Sequence, residues 1–224
     1  MQTLTTRGVT AVLRPPKTSS MPSVRTASPS DVPAIVRLHT ISMPHFFWTA
    51  PTPAFLATFY RFVVHDKVGW LLISEQEGYL AGFVAGFPDP ARLFQRIAAA
   101  KFRFFVAGAA CLAKCPTQFR GVWSDIRRAV RLSREPILGS QVACELTTIA
   151  VQPQFRRQGH GRALVCALIE AAKTDRISEI HARIDPKDKG MSHFYRRLGF
   201  EAFCTLEPSD TRWAAEHVLK IRTE

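Results

Sequence analysis

Arg156-Arg157-Gln158-Gly159-His160-Gly161-Arg162 gathers three guanidinium groups and two glycines into seven residues. Those types at that spacing suit the capture of an anion. Glycine lets the backbone take conformations closed to other residues and lets an anion come close. Downstream, Ala163, Leu164, Ala167, Leu168, Ala171 and Ala172 recur at helical spacing, so the loop feeds the first turn of a helix. The first amides of a helix have no partner within it, and the peptide dipoles add partial positive charge there. Such a loop suits a diphosphate. It also reads as a plain helix start with a surface arginine pair, because a lone G-x-G is weak evidence.

The element before the loop must present it. Leu146, Thr147, Thr148, Ile149, Ala150 and Val151 are β-branched or apolar and predict a strand. Pro153 has no N–H to give to a ladder and ends it. On an alternating strand Glu145 shares a face with Thr147, Ile149 and Val151.

The run R-x-x-G-x-G after such a strand resembles the acyl-coenzyme A loop of the GNAT acetyltransferase superfamily. A second segment agrees: Phe194-Tyr195-Arg196-Arg197-Leu198-Gly199-Phe200 resembles that family's F-Y-x-x-L-G-F signature. The resemblance is strong over residues 141–203, weaker over 23–87, and absent over 1–22 and 88–140. It implies an α+β GNAT fold, a mixed central sheet of about seven strands flanked by helices, with a helical insertion before the fourth strand. It implies acetyl-CoA as co-substrate; separately, no metal-ligand spacing appears among the cysteines and histidines, so no metal is expected. The backbone of Ile149, Ala150 and Val151 would pair with the pantetheine arm, as another strand would. Arg156, Arg157, Gln158, Gly159, His160, Gly161 and Arg162 would take the diphosphate. Asp188 stands where many members carry a cofactor-binding Asn, a departure that weakens its assignment. Tyr195 is placed as the general acid, since a phenol is close to a thiol in proton affinity; the alternative is a Tyr that only stacks beside the cofactor. Glu145 is placed as the general base, or else pairs with an Arg of the insertion.

Composition narrows the remaining choices. A chain of 224 residues suits one domain with a full core. No stretch approaches the ~20 apolar residues that span a bilayer; the longest, Phe104 to Ala113, is flanked by Lys101, Arg103 and Lys114. A formal charge of +12 suits an anionic cofactor or substrate, a phospholipid surface or nucleic acid. No helix-turn-helix, RNA-binding or zinc-finger pattern is present, so no nucleic acid is expected. The five cysteines have no paired spacing and are expected as free thiols in a reducing cytoplasm.

In chain order, residues 1–22 are basic and rich in Ser and Thr. They fit a disordered tail, a start-site artefact before Met21, or a transit peptide. Val24 to Ala27 predicts a first strand, Pro29 onward a helix with Val32, Ile35, Val36 and Leu38 on its apolar face. Met43 to Pro53 is a loop holding His45, Phe46, Phe47 and Trp48. Phe55, Leu56, Phe59, Phe62 and Val63 mark a second helix. Gly69 to Glu75 and Tyr79 to Phe87 read as a hairpin turned by Glu77-Gly78, and Gly82 and Gly86 suit close packing. Residues 88–140 carry ten basic residues against three acidic ones, a net +7. Ala91 to Ala113 and Gln118 to Ser133 read there as two helices. Three readings stand: a packed hairpin with a solvated basic face, a positive lid over an anionic acceptor, or a peripheral contact with the inner membrane face. Glu179 to Asp185 predicts a strand and Met191 to Leu198 a short helix. Phe200 to Leu206 and Ala214 to Ile221 predict two closing strands.

The function expected is N-acetyl transfer from acetyl-CoA to a primary amine of a small acceptor. The basic insertion favours an anionic one, such as an amino sugar or its nucleotide. Protein or peptide acetylation, and a membrane-associated CoA-binding module with little catalysis, are the alternatives. A homodimer is compatible with the sequence.

Overall fold

The computed structural model describes residues 22–43, 53–99, 143–185, 187–206 and 216–223. In chain order these form β1 (Ser23–Thr26), α1 (Val32–Ser42), α2 (Pro53–Asp66), β2 (Trp70–Gln76), β3 (Tyr79–Phe87), α3 (Pro90–Ala99), β4 (Ala143–Val151), α4 (His160–Thr174), β5 (Glu179–Ile184), α5 (Lys189–Arg197), β6 (Glu201–Leu206) and β7 (Glu216–Arg222). The strands make one seven-stranded sheet in the order β1-β2-β3-β4-β5-β7-β6. Every neighbouring pair is antiparallel except β4 and β5, which are parallel.

Two apolar clusters cover the two faces. On one, Ile35, Leu38, Phe59, Phe62 and Val63 of α1 and α2 pack on Ile73, Phe83, Ala85 and Phe87. On the other, Leu164, Val165, Leu168 and Ala172 of α4 pack on Val84, Leu146, Ile180 and Ala182, with Tyr195 and Phe200 joining from the C-terminal half. α4 can lie this close because β3 carries glycine beneath it. A Cβ on Gly86 would sit 2.6 Å from Leu168 Cδ1, and one on Gly82 would sit 3.2 Å from Leu164 Cδ1.

The hairpin turn is as the sequence implies. Glu77 and Gly78 both have positive φ, 53° and 78°, the mirror-image turn that matches strand twist. β4 begins at Ala143, three residues before its expected start. α5 begins at Lys189 because Asp188 caps it, its Oδ1 accepting from the Met191 amide at 2.9 Å. Of the insertion, α3 seats Leu93 in the first cluster, and Arg96 pairs with Asp66 of α2 at 3.0 Å. The rest of the expected insertion helices, the 1–22 tail up to residue 21 and the aromatics at 45–48 lie outside the described residues. Cys144 and Cys166 are free thiols.

Candidate active site

β4 has different neighbours along its length. On one side it pairs with β3 from Glu145 to Val151. On the other it pairs with β5 only from Ala143 to Leu146, although β5 continues to Ile184 against β7. Beyond Leu146 and Ala182 the two parallel strands therefore part. The outer edge of Thr147 to Val151 has no strand partner among the described residues, and apart from the Val151 carbonyl, which accepts from Arg156 Nε, its backbone groups are open to an extended ligand.

A bulge sits where the strands part. Ala85 pairs with Thr148 and Gly86 with Leu146, which leaves Thr147 without a partner on β3. One extra residue reverses the alternation. Before it, Cys144 and Leu146 face α4; after it, Ala150 faces α1 and α2, and Ile149 and Val151 turn toward α4. Glu145 lies opposite Phe87, on the α1–α2 face. The expectation that Glu145 shares a face with Ile149 and Val151 is thus overturned: it shares one with Thr148 and Ala150. Its carboxylate is half-buried and pairs with Arg183 of β5, Nε to Oε1 at 3.0 Å, rather than waiting on an Arg of the insertion. Next to it on the same face of β5, His181 is buried and contacts Glu179 at 3.1 Å, and Lys220 reaches Glu179 at 3.2 Å.

After β4, residues 153–155 make a single tight turn. Arg157 and Gly159 then take left-handed conformations, φ 62° and 91°, and α4 starts at His160. Ala163 is the first residue to bond back along the chain, its amide donating to the Gly159 carbonyl at 2.9 Å. Among the described residues the amides from Arg157 to Arg162 donate to no backbone carbonyl. Arg157, Gln158, Gly159 and Arg162 are exposed, and the nearest atom to a Cβ on Gly159 would be Pro22 Cγ, 3.8 Å away. Open amides in a curled loop at a helix N-terminus fit a diphosphate.

Several loop side chains are occupied in holding the loop. Arg156 Nε donates to the Val151 carbonyl at 3.1 Å, and Gln158 Nε2 donates to the Gln154 carbonyl at 2.7 Å. The His160 imidazole is buried and points into the sheet, near Ser74 at 2.7 Å and Gln76 at 2.8 Å. Its side chain therefore does not line the loop's open surface, although its amide does. Asp188 is committed to the α5 cap.

Tyr195 is 2% exposed, with its ring against Phe194 (5.2 Å) and Phe200 (5.1 Å). Burial pushes its phenol above the ordinary value, so it is protonated at neutral pH and is a weaker acid than an exposed phenol. Phe194 in turn rests on the loop's second glycine, 3.4 Å from where a Gly161 Cβ would be. A further buried polar pair was not expected from sequence. His39 Nδ1 lies 2.6 Å from Tyr60 Oη, and Tyr60 also bonds the Thr148 hydroxyl just past the bulge. A histidine and a tyrosine at apolar positions of their helices are the only sequence sign of it.

A cavity of about 790 Å³ opens elsewhere, lined by Val63, Asp66, Trp70, Asp89, Arg92 and Ile177. It lies at the Trp70 end of β2, whereas the loop adjoins the Gln76 end. Its size is that of a ligand site, but neither the open edge of β4, the glycine loop, Glu145 nor Tyr195 lines it. Among the described residues no cluster of three or more His, Cys, Asp or Glu could hold a metal, and no helix is long and apolar enough to cross a membrane.

A strand that parts from its parallel neighbour, a bulge at the parting and a glycine loop of open amides together have the shape and polarity that suit an extended, diphosphate-bearing donor. The family model for the acetyltransferase (GNAT) family matches residues 35–200, and the chain belongs to that family. It is an acyl-CoA-dependent acetyltransferase. Solved structures share the fold. A ribosomal-protein-alanine N-acetyltransferase from Brucella melitensis is 18% identical, with a TM-score of 0.60 over 89% of this chain and 99% of that one. YncA from Salmonella typhimurium, a putative acetyltransferase solved with acetyl-CoA, is 15% identical, with a TM-score of 0.60 over 92% and 95%. SsHAT is 19% identical, with a TM-score of 0.62 over 92% and 100%. No curated protein sequence matches.

Proposed function

We propose that the protein transfers an acetyl group directly from acetyl-CoA to a primary amine of a small acceptor. The observation that carries this reading is the open edge of β4 leading into the unbonded amides of Arg157 to Arg162. Acetyl-CoA, when bound, supplies the acetyl group already activated as a thioester. The edge from Ile149 to Val151 pairs with the pantetheine arm, and the loop amides with Arg157 and Arg162 take the diphosphate. A backbone amide beside the Thr147 bulge faces the carbonyl oxygen as negative charge develops on it. Glu145 takes the proton from the attacking amine, held in place by Arg183. Tyr195 gives its proton to the sulfur as the C–S bond breaks; the proton on Glu145 then goes to solvent and Tyr195 regains one from solvent, which restores both groups. The base and the acid approach from opposite faces of the sheet, through the gap between β4 and β5.

The basic residues of 88–140 favour an anionic acceptor, an amino sugar or a nucleotide-linked amino sugar. Transfer to a protein N-terminus is the second reading, supported by the likeness in fold to the Brucella ribosomal-protein-alanine N-acetyltransferase. Thiol release from acetyl-CoA across a panel of amino sugars, their nucleotides, polyamines, amino acids and N-terminal peptides separates the two. Release driven by a phosphorylated amino sugar is expected. Turnover with peptides alone would replace this acceptor assignment, and no turnover with any amine would refute the transferase reading of the site. A Gly159→Asp variant is expected to lose acetyl-CoA binding, because its carboxylate would enter the diphosphate cradle on a backbone with φ of 91°.

A further inference from the structure

His160 opens α4, yet its imidazole is only 2% exposed and turned away from the loop. Gln76 Oε1 can only accept. Nε2, 2.8 Å away, therefore carries the proton and donates to it, and Nδ1 accepts from the Ser74 hydroxyl at 2.7 Å. This is one tautomer of the neutral ring. Burial, which lowers the pKa of His160, agrees with it. The Phe155 ring closes the site from the loop side, 5.7 Å away and edge-on.

Both partners are on β2, two residues apart and therefore on one face. They hold the ring at two points along the strand direction. The rest of α4 is held by Leu164, Val165, Leu168 and Ala172, apolar contacts without direction. Two directional bonds at the first residue fix how far the first turn is rotated and how high it stands above the sheet. The amides that depend on that setting are those of His160, Gly161 and Arg162, which have no backbone acceptor.

We propose that His160 is a positioning residue of the donor site: its imidazole, bonded to Ser74 and Gln76, aims the first-turn amides of α4, its own included, at the donor's diphosphate without itself touching the donor. This rests on the diphosphate reading of the loop given above. It also means that β2, two strands from the parting of β4 and β5, takes part in donor recognition.

The test compares two donors. Acetyl-CoA carries the diphosphate; S-acetylpantetheine has the same thioester and arm without it. His160→Phe keeps a ring against Phe155 and removes both bonds, and Ser74→Ala removes one with less risk to folding. For His160→Phe, Kd and KM for acetyl-CoA are expected to rise about tenfold, the loss of two neutral hydrogen bonds, and for Ser74→Ala about threefold. kcat at saturating donor and kcat/KM with S-acetylpantetheine should stay within about twofold, because neither depends on the diphosphate grip. Imidazole ¹⁵N shifts at pH 7 should show His160 protonated on Nε2 alone. Equal losses with both donors, or unchanged acetyl-CoA affinity in both variants, would overturn the proposal. Gly159→Asp separates the two levels. If it binds acetyl-CoA like wild type, the diphosphate reading itself falls; if it loses binding while His160→Phe keeps it, only the role of His160 falls.

Discussion

Acidification tests the buried histidines. His39 is 1% exposed, hydrogen-bonded to Tyr60 and stacked on Phe83. Burial lowers its pKa from 6.5 to about 4. In the unfolded chain it binds a proton below about pH 6.5; in the folded chain it stays neutral until about pH 4. Between those values the unfolded state holds more protons, so stability falls as the pH falls, by about 1.4 kcal/mol per pH unit for each such histidine. Across the window His39 alone costs about 3 kcal/mol. His160, also lowered by burial, adds in the same direction. The carboxylates act lower. Arg25 holds Asp31 well below its usual range, and His181 and Lys220 hold Glu179 below its own. Their contributions are present above their unfolded values, 3.8 and 4.5, and are lost only below them. Urea unfolding at pH 7.5, 6.5, 5.5 and 4.8 therefore isolates the histidines. His39→Phe should be less stable at pH 7.5, because Tyr60 loses a partner. Its stability should then fall with pH less steeply than wild type, by about 1.4 kcal/mol per unit below pH 6.5. Parallel curves for the two proteins would refute the assignment of a buried neutral His39.

Other substitutions probe packing and chemistry. Gly86→Ala places a methyl 2.6 Å from Leu168 Cδ1 and should cost about 1–3 kcal/mol in urea unfolding. Gly82→Ala meets a backbone carbonyl instead of a side chain and should be the more damaging of the two by the same measurement. Tyr195→Phe should lower kcat by roughly 10²-fold, the lower range for a general acid, with acetyl-CoA Kd unchanged by calorimetry. Glu145→Gln should lower kcat/KM for the acceptor by a similar factor, roughly 10², and remove the acidic limb of its pH profile.

The strand, loop and helix around Gly159 were legible in sequence because each part has its own local chemistry: a β-branched run, a Pro stop, two glycines and a helical repeat. The hairpin was legible for the same reason, since Glu77-Gly78 fits a turn needing two positive φ values. The face of Glu145 was not. Thr147-Thr148-Ile149 reads as unbroken alternation, and the bulge that reverses it comes from how Ala85 and Gly86 register against β4, a tertiary fact. Nor could the loop motif show which way His160 points. A histidine between two glycines looks like a ligand; only Ser74 and Gln76, some 85 residues upstream in sequence, turn it inward. The dense arginines of the insertion suggest an alternative partner for Glu145, but pairing of β4 with β5 brings Arg183 to it.

Everything functional depends on whether the amides at the start of α4 hold the donor's diphosphate. The direct measurement is a ¹H–¹⁵N titration of the labelled protein with coenzyme A and, separately, with inorganic pyrophosphate. The account predicts that the amides of Arg157 to Arg162 move with both ligands, and that Gly159→Asp abolishes those shifts. Unmoved amides there, with shifts confined to the cavity around Trp70 and Arg92, would contradict it.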